Sequence, residues 1–447
     1  MKEKIDYKRY FKNKKITVMG LGLLGRGIGV VKFLAEQGVK LNVTDLKNKK
    51  ELKLALDKLK KFKNIKYVLG EHKLDDFKNR DLIIRAANVP LDSVYIKEAQ
   101  KNNIPIEMDA SLFARLSLAT IIGITGTRGK STVTKIIYNS LKKHSLKNRN
   151  VFLGGNIKGI ATLPLLKKAK KGDFVILELD SWQLQGFGDL EISPHISVFT
   201  NFMSDHLNYY KGDMQRYFDD KANIFKYQNR DDYLIINEQA EREIKKRFKN
   251  KIKSKIIQTK NYISNNWKIN LIGEHNKTNI SLAIKTLEIL GLSKIAIKKG
   301  IENYKGEPGR LELVRNFKNI AYYNDTNSTT PDALMAALKA LRSDENNIIL
   351  IAGGNNKDLD YKKITEFVNK TVKALILIKG TATNQIISYS TKPIEVVDNM
   401  KKAFKKAKKF AKKGDIILLS PGAASFGVFK NEYDRGEQFV KLVKQLK

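Results

Sequence analysis

Cysteine is absent from all 447 residues. That excludes disulfides, thiolate zinc sites and a cysteine nucleophile, and it fits a reducing compartment such as the cytoplasm. Long apolar runs are missing too, since no stretch approaches the roughly 18 residues that a membrane-crossing helix needs. After the basic start, the apolar segment 16–24 is short, broken by glycine and followed by Arg26. It predicts a strand and a turn rather than a signal peptide. No internal repeat of solenoid period occurs. Acidic residues are scarce beside basic ones, 46 Asp and Glu against 84 Lys and Arg, for a net charge of +38. Such a balance attracts polyanions non-specifically. The lysines, however, are spread over Lys47–Lys63, Lys245–Lys255 and Lys401–Lys413 at spacings that suit solvated helix faces. They lack the interleaved aromatics of a single-strand-binding surface. A lysine-biased, solvated surface is the expectation, with steering of acidic substrates as the lesser alternative, no specific nucleic-acid partner and no membrane insertion.

What is present is apolar content for real cores, 42% of the chain, and length for about three domains of ~150 residues each. Three segments each open with a buried-type strand and a glycine turn. The first runs from Ile16–Gly20 through a helix to Lys40–Thr44, a βαβ pattern, with a further strand at Asp81–Ile84. The second has strands at Thr120–Thr125, Phe174–Glu178, Ile196–Thr200 and Tyr233–Ile236. The third follows the Glu307-Pro-Gly-Arg310 punctuation, with strands at Ile348–Ala352, Ala374–Ile378 and Asp415–Leu419. The expected fold is α/β with three domains, 1–108, 109–305 and 306–447, Rossmann-like at both ends.

Gly126-Thr-Arg-Gly129-Lys130-Ser131-Thr132 lies between a strand and a helix. Glycines let backbone N–H groups converge on phosphate oxygens, and a helix N-terminus adds a favourable dipole. Lys130 would reach terminal phosphates, and a Ser131 or Thr132 hydroxyl would ligate magnesium. Only two residues separate the glycines, so the loop is tighter than the general pattern. The central domain is therefore expected to be of the phosphate-loop ATPase type. A second motif, Gly20-Leu-Gly22-Leu-Leu-Gly25 with Asp45 about 20 residues on, taken alone indicates a dinucleotide such as NAD. An NAD-dependent oxidoreductase is the alternative this motif raises. It has no use for Lys130.

Taken together, these pieces resemble the Mur ligase family. Gly123–Thr132 is similar to its ATP loop, and Gly154-Gly-Asn156-Ile157, Glu178-Leu-Asp-Ser-Trp-Gln-Leu184 and Thr200-Asn-Phe-Met-Ser-Asp-His206-Leu207 follow in family order. So do Asp220-Lys221-Ala222, Gly273-Glu-His-Asn276-Lys-Thr-Asn279, Gly309-Arg310-Leu-Glu312, Tyr323-Asn-Asp325 and Gly353–Lys357. The most member-specific piece is Ser420–Lys430 with Asp434-Arg435-Gly436. The resemblance spans nearly the whole chain. It implies an ATP-dependent, ADP-forming amide ligase that works through an acyl phosphate in cytoplasmic peptidoglycan precursor synthesis. The acceptor it implies is UDP-N-acetylmuramoyl-L-alanine, the incoming amino acid D-glutamate, and the enzyme a monomer. Another amide ligase of the family, with a different amino acid, is the nearest alternative.

By that resemblance Lys130, His206, Lys221 and Arg310 are catalytic. Gly126, Thr127, Gly129, Lys130, Ser131, Thr132, Asn276, Asn279, Arg310 and Asp325 bind ATP. Two magnesium ions are implied, held by Ser131, Glu178, His206 and a carbamylated Lys221. Leu23, Leu24, Asp45 and Lys47 of the N-terminal domain would bind the UDP-linked substrate together with Asn156 of the central domain. Thr329, Lys357, Ser425 and Phe426 would hold the amino acid in the C-terminal one. Three positions depart from the family pattern. Asn327 stands where a lysine is familiar, Asp180 where a serine is common, and Glu432 where an aromatic is frequent. Asp180 would either ligate metal or tune its neighbours, and Glu432 is harmless if its backbone makes the contact.

Overall fold

The computed structural model describes residues 6–23, 25–144, 149–260, 263–264, 266–342 and 346–447. Seventeen strands among them form three sheets. The first holds β1 (Lys15–Met19), β2 (Lys40–Asp45), β3 (Ile65–Leu69), β4 (Leu82–Arg85) and β5 (Ile106–Glu107), in the order β3-β2-β1-β4-β5 and parallel throughout. The second holds β6 (Thr120–Thr125), β7 (Val151–Gly155), β8 (Phe174–Glu178), β9 (Ile196–Phe199), β10 (Tyr233–Asn237) and β11 (Lys255–Thr259). Its order is β11-β10-β9-β6-β8-β7, again all parallel.

The third sheet comprises β12 (Glu312–Phe317), β13 (Ile320–Asn324), β14 (Ile348–Gly353), β15 (Val372–Ile378), β16 (Ile394–Val397) and β17 (Ile416–Leu419). It runs β12-β13-β17-β14-β15-β16, and only β12 is antiparallel to its neighbour. The hairpin that reverses it turns through Lys318 and Asn319, both at positive φ (51° and 58°). Parallel strands need helical crossovers, so both faces of these sheets are covered and the interior strands are largely apolar on both sides.

Period-2 alternation makes this visible in the third sheet. Leu350, Ala352, Leu375, Leu377 and Leu418 pack on one face with helices Pro331–Leu341, Lys362–Thr371 and Thr381–Tyr389. Ile349, Ile351, Ile376, Ile378, Ile417 and Leu419 pack on the other with helices Met400–Phe410 and Glu432–Lys444. Each fully buried Leu or Ile stabilises by roughly 1.5–3 kcal/mol. Met400, Ala403, Phe404 and Ala407 form the buried stripe of helix Met400–Phe410, and Lys401, Lys402, Lys405, Lys408 and Lys409 stay exposed. This lysine run is a solvated helix face.

The chain divides into two compact units. One contains Met1–Phe202, Gln215–Asn261 and Ile280–Gly300, and so holds the first two sheets; the other contains Met203–Met214, Tyr262–Asn279 and Ile301–Lys447, with the third sheet. No described helix is long and apolar enough to cross a membrane.

Candidate active site

In the first unit β6 ends at Thr125, and the chain turns through Gly126 (φ 139°) and Gly129 (φ 83°) into helix Lys130–His144. Gly126 is required by space as well as by φ, since a Cβ there would lie 2.0 Å from Thr200 Oγ1. The segment after β9 holds the turn from outside. The Thr127 N–H donates to the Asn201 carbonyl (2.9 Å), the Arg128 N–H to Asn201 Oδ1 (2.8 Å), and the Thr200 hydroxyl to the Arg128 carbonyl (2.5 Å). Lys130 curls back over the loop, its Nζ donating to the carbonyls of Gly126 (2.9 Å) and Thr127 (3.1 Å).

Lys221 arrives from helix Met214–Ala222, only 1% exposed, and also donates its Nζ to the Gly126 carbonyl (2.9 Å). Two amines from distant parts of the chain thus meet on one acceptor. The Tyr217 ring lies 4.9 Å from Lys221 Nζ, and its hydroxyl is 3.4 Å from Thr127 Oγ1. Glu178, 5% exposed, ends β8, in register with Ile124 of β6 and Gly155 of β7. Asn156 is tied to that strand end by its N–H on the Glu178 carbonyl (2.6 Å), and its Oδ1 accepts from Arg26 Nη2 (2.8 Å). Gly155 (φ 84°) permits the approach, because a Cβ there would sit 2.1 Å from the same carbonyl. Ser131 and Thr132 open the helix, half-buried and buried.

Among the described residues no group of three or more His, Cys, Asp or Glu side chains could hold a metal. Magnesium bound with a nucleotide asks for less, commonly one or two carboxylates beside phosphate oxygens and water. A buried Glu178 at the strand end neighbouring a loop with Ser131 fits that demand. Lys221 as an ammonium does not, and it would fit only as a carbamate.

At the end of the first sheet, Asp45 (6% exposed) accepts from the Gly22 N–H (2.9 Å) through one carboxylate oxygen and from the Lys47 N–H (2.9 Å) through the other. A backbone N–H of the glycine turn, with that of Lys47, thus engages the acid that an NAD fold would offer to a ribose. Leu23 is exposed, Lys47 half-buried, and Leu24 lies outside the described residues.

In the second unit the C-terminal ends of β13, β17 and β14 stand side by side. Asp325, just past β13, accepts from the Ser420 hydroxyl (2.8 Å) and the Leu311 N–H (3.0 Å). Burial pushes its carboxyl up to about 7, against the pull of those hydrogen bonds and of Arg310. Arg310 itself is exposed. Lys357 Nζ donates to Thr329 Oγ1 (3.1 Å), uniting two of the residues expected to hold the amino acid. Ser425 is buried and Phe426 exposed, with the Phe426 carbonyl fastened by Asn355 Nδ2 (2.6 Å). Asn279 Nδ2 donates to Asn276 Oδ1 (3.2 Å), and Asn276 Nδ2 to the Ile272 carbonyl (2.8 Å). His206 takes a left-handed φ of 54° at the start of helix Leu207–Tyr210, its N–H on Asp205 Oδ1 (2.9 Å).

Two groups that shape these sites carried no role in the sequence reading. Asn201 sits within the quoted Thr200–Leu207 segment, but its grip on the turn depends on β6 and β9 being neighbours. Arg435, fully buried, donates to Thr326 Oγ1 (3.1 Å), the Thr326 carbonyl (2.8 Å) and the Ala423 carbonyl (3.2 Å). The signal was its place in the quoted Asp434-Arg435-Gly436.

The departures acquire reasons. Asp180 is the N-cap of helix Ser181–Asp189 in a capping box, its Oδ1 accepting from the Gln183 N–H (2.7 Å). Aspartate and serine are both good caps, so the exchange needs no metal to explain it. The Glu432 carbonyl accepts from Thr326 Oγ1 (2.8 Å), a contact indifferent to the side chain. Asn327 ties down the turn before β12, its N–H on the Gly309 carbonyl (3.0 Å) and its Nδ2 on that of Pro308 (3.2 Å).

Family models match the chain in three stretches: the Mur ligase MurD-like N-terminal domain at residues 14–107, the Mur ligase middle domain at 124–287, and the Mur ligase glutamate ligase domain at 309–422. The chain belongs to the Mur ligase family, and the oxidoreductase alternative is overturned: its glycine motif falls inside the first of these domains. Among the curated relatives is the UDP-N-acetylmuramoylalanine--D-glutamate ligase of Borreliella afzelii (strain PKo), 38% identical over 97% of this chain and 98% of its own. The enzyme of the same name from Roseiflexus sp. (strain RS-1) is 33% identical over 96% and 98%. Solved structures share the fold. UDP-N-acetylmuramate-alanine ligase of Thermotoga maritima superposes with a TM-score of 0.63 at 19% identity, covering 97% of this chain and all of its own. The MurF ligase of the same organism, in complex with ADP, gives 0.60 at 16% identity over 99% and 96%.

Proposed function

We propose that this chain joins D-glutamate to UDP-N-acetylmuramoyl-L-alanine, with cleavage of ATP to ADP and phosphate, in the cytoplasmic assembly of peptidoglycan precursors. The observation that carries the reading is the meeting of Lys130 and Lys221 on the Gly126 carbonyl, inside the glycine turn that follows β6, whose neighbour β8 ends at Glu178. Carboxylates are poor acylating agents, and an anion resists attacking an anionic phosphate. Catalysis must therefore offset charge and fix position. A carboxylate oxygen of the acceptor attacks the terminal phosphorus, ADP leaves, and an acyl phosphate forms. The amine of the incoming amino acid then attacks the acyl carbon, phosphate leaves, and the nitrogen loses a proton.

The backbone N–H groups from Gly129 into the first turn of helix Lys130–His144 would cradle the phosphates, those of Thr127 and Arg128 being held by Asn201, and Lys130 would swing from its carbonyl partners to neutralise the transferring group. Ser131, with Thr132 behind it, and Glu178 would hold magnesium, which when bound draws charge from phosphate oxygens. Lys221, made anionic by carbamylation, would hold a second ion. His206 is assigned to metal by resemblance, and Asn276, Asn279, Arg310 and Asp325 to the nucleotide in the same way. Leu23, Leu24, Asp45 and Lys47 would take the UDP moiety together with Asn156. Thr329, Lys357, Ser425 and Phe426 would take the amino acid, with the Lys357 ammonium supplying the cation absent at Asn327.

The test is phosphate release from ATP, magnesium and UDP-N-acetylmuramoyl-L-alanine against a panel of amino acids. Turnover is expected with D-glutamate and to fall by at least about a hundredfold in Lys130→Ala, whose melting temperature changes little. Turnover with another amino acid in place of D-glutamate would reassign the member, and normal activity in the alanine variant would defeat the loop assignment.

A further inference from the structure

Arg85 ends β4 with its side chain 2% exposed. Its Nη1 donates to the Val89 carbonyl (3.0 Å), which pins the loop 86–90 after β4, and its Nη2 donates to Gln185 Oε1 (2.9 Å). Gln185, 3% exposed on helix Ser181–Asp189, donates its Nε2 to Asp220 Oδ2 (2.7 Å). Asp220 immediately precedes Lys221 on helix Met214–Ala222. The linking helix has little room to slide. A Cβ at Gly186 would come within 2.6 Å of Ser111 Oγ, and one at Gly188 within 2.5 Å of Asn223 Nδ2. A buried guanidinium is a costly way to fill space, since an apolar side chain of similar size commonly stabilises as well or better. An amide at 185 suits both neighbours: it accepts from Arg85 on one side and donates to a carboxylate on the other, which neither an ionised carboxylate nor an apolar side chain could do.

The geometry points to Arg85, Gln185 and Asp220 as a positioning relay between the acceptor sheet and Lys221. It ties the loop after β4, at the carboxyl end of the first sheet where open α/β folds take ligands, to the helix that presents Lys221 to the Gly126 carbonyl. Acceptor occupancy at the first sheet then settles Lys221 in place, so that phosphoryl transfer is favoured only when a carboxylate is there to receive it. The relay rests on the acceptor and Lys221 assignments made above. Its three members are positioning residues, acting through Lys221.

Two measurements on the full chain test it. In the first, Gln185→Met and Gln185→Glu each lower kcat roughly tenfold or more, with KM for the acceptor within about twofold. Adding Asp220→Asn to Gln185→Glu restores most of the loss, because the carboxylate introduced at position 185 then accepts from Arg85 and from the amide introduced at position 220. In the second, amide exchange is followed with UDP-N-acetylmuramoyl-L-alanine as the sole addition. Wild type is expected to slow in both 86–90 and 214–222, and Gln185→Met in 86–90 alone. Unchanged kcat in folded single variants, a double variant no better than Gln185→Glu, or protection reaching 214–222 in Gln185→Met would each overturn the relay while leaving the ligase reading intact. Protection in neither segment of wild type overturns the acceptor assignment and the relay with it.

Discussion

Burial takes the Asp325 carboxyl from an ordinary 3.8 to about 7, and the Ser420 hydroxyl, the Leu311 N–H and the charge of Arg310 pull the other way without winning. The folded chain therefore holds this proton more tightly than the unfolded chain between about pH 4 and 7. The contribution to stability is complete below the unfolded value and is lost as pH rises through the folded one. Asp325→Asn, which keeps the shape and cannot ionise, is expected to flatten the decline of Tm over that window. Thermal melts of both proteins at half-unit pH steps would check it, and an undiminished slope in the variant would assign the pH dependence to other groups. Arg435 meets the same desolvation with the opposite sign, its pKa drawn down to about 10. It remains a cation at neutral pH, and its three hydrogen bonds join the ends of β13 and β17 beside Asp325.

Among the elements, the helix after β8 bears most directly on chemistry, because its N-cap lies two residues beyond Glu178. Asp180 caps it, and loss of such a cap costs about 1 kcal/mol. Asp180→Ala is expected to lower stability by that order, whereas Asp180→Ser keeps both the cap and the turnover. A large fall in kcat with serine at 180, at unchanged Tm, would return this carboxylate to the metal site. Legibility also varied by element. Every strand read from the chain, from Ile16 to Leu419, is interior to its sheet: β1, β2, β4, β6, β8, β9, β10, β14, β15 and β17. The six edge strands, β3, β5, β7, β11, β12 and β16, were not read, and neither was β13. Interior parallel strands are apolar on both faces and stand out as continuous runs. An edge such as Lys255–Thr259, with most of its residues exposed, looks like ordinary polar chain.

For the whole molecule, the net charge of +38 belongs to the surface, with lysines exposed on helices such as Met400–Phe410. Its physical consequence is long-range attraction of anionic substrates, screened over about 10 Å at 0.1 M salt. The acceptor and ATP are both polyanions in the proposed reaction. Raising monovalent salt from about 20 to 500 mM is expected to lower kcat/KM for both several-fold and to leave kcat nearly constant. A kcat/KM independent of salt would show that the charge serves solubility alone.

The sequence by itself determined the α/β class, the phosphate-type loop at Gly126–Thr132 and the order of family motifs, because each is written in a short stretch of neighbouring residues. It also exposed the glycine motif at Gly20–Gly25, whose dinucleotide meaning was a local ambiguity that no local reading could remove. Only the tertiary structure decided that Lys221, an unremarkable lysine on a charged helix, lies buried on the same carbonyl as Lys130. The same holds for Arg85 reaching Asp220 through Gln185. Those facts depend on residues 95, 100 and 35 positions apart being brought within hydrogen-bond reach. Spacing along the chain carries no trace of such meetings, since they follow from which strands pair and how the helices between them pack.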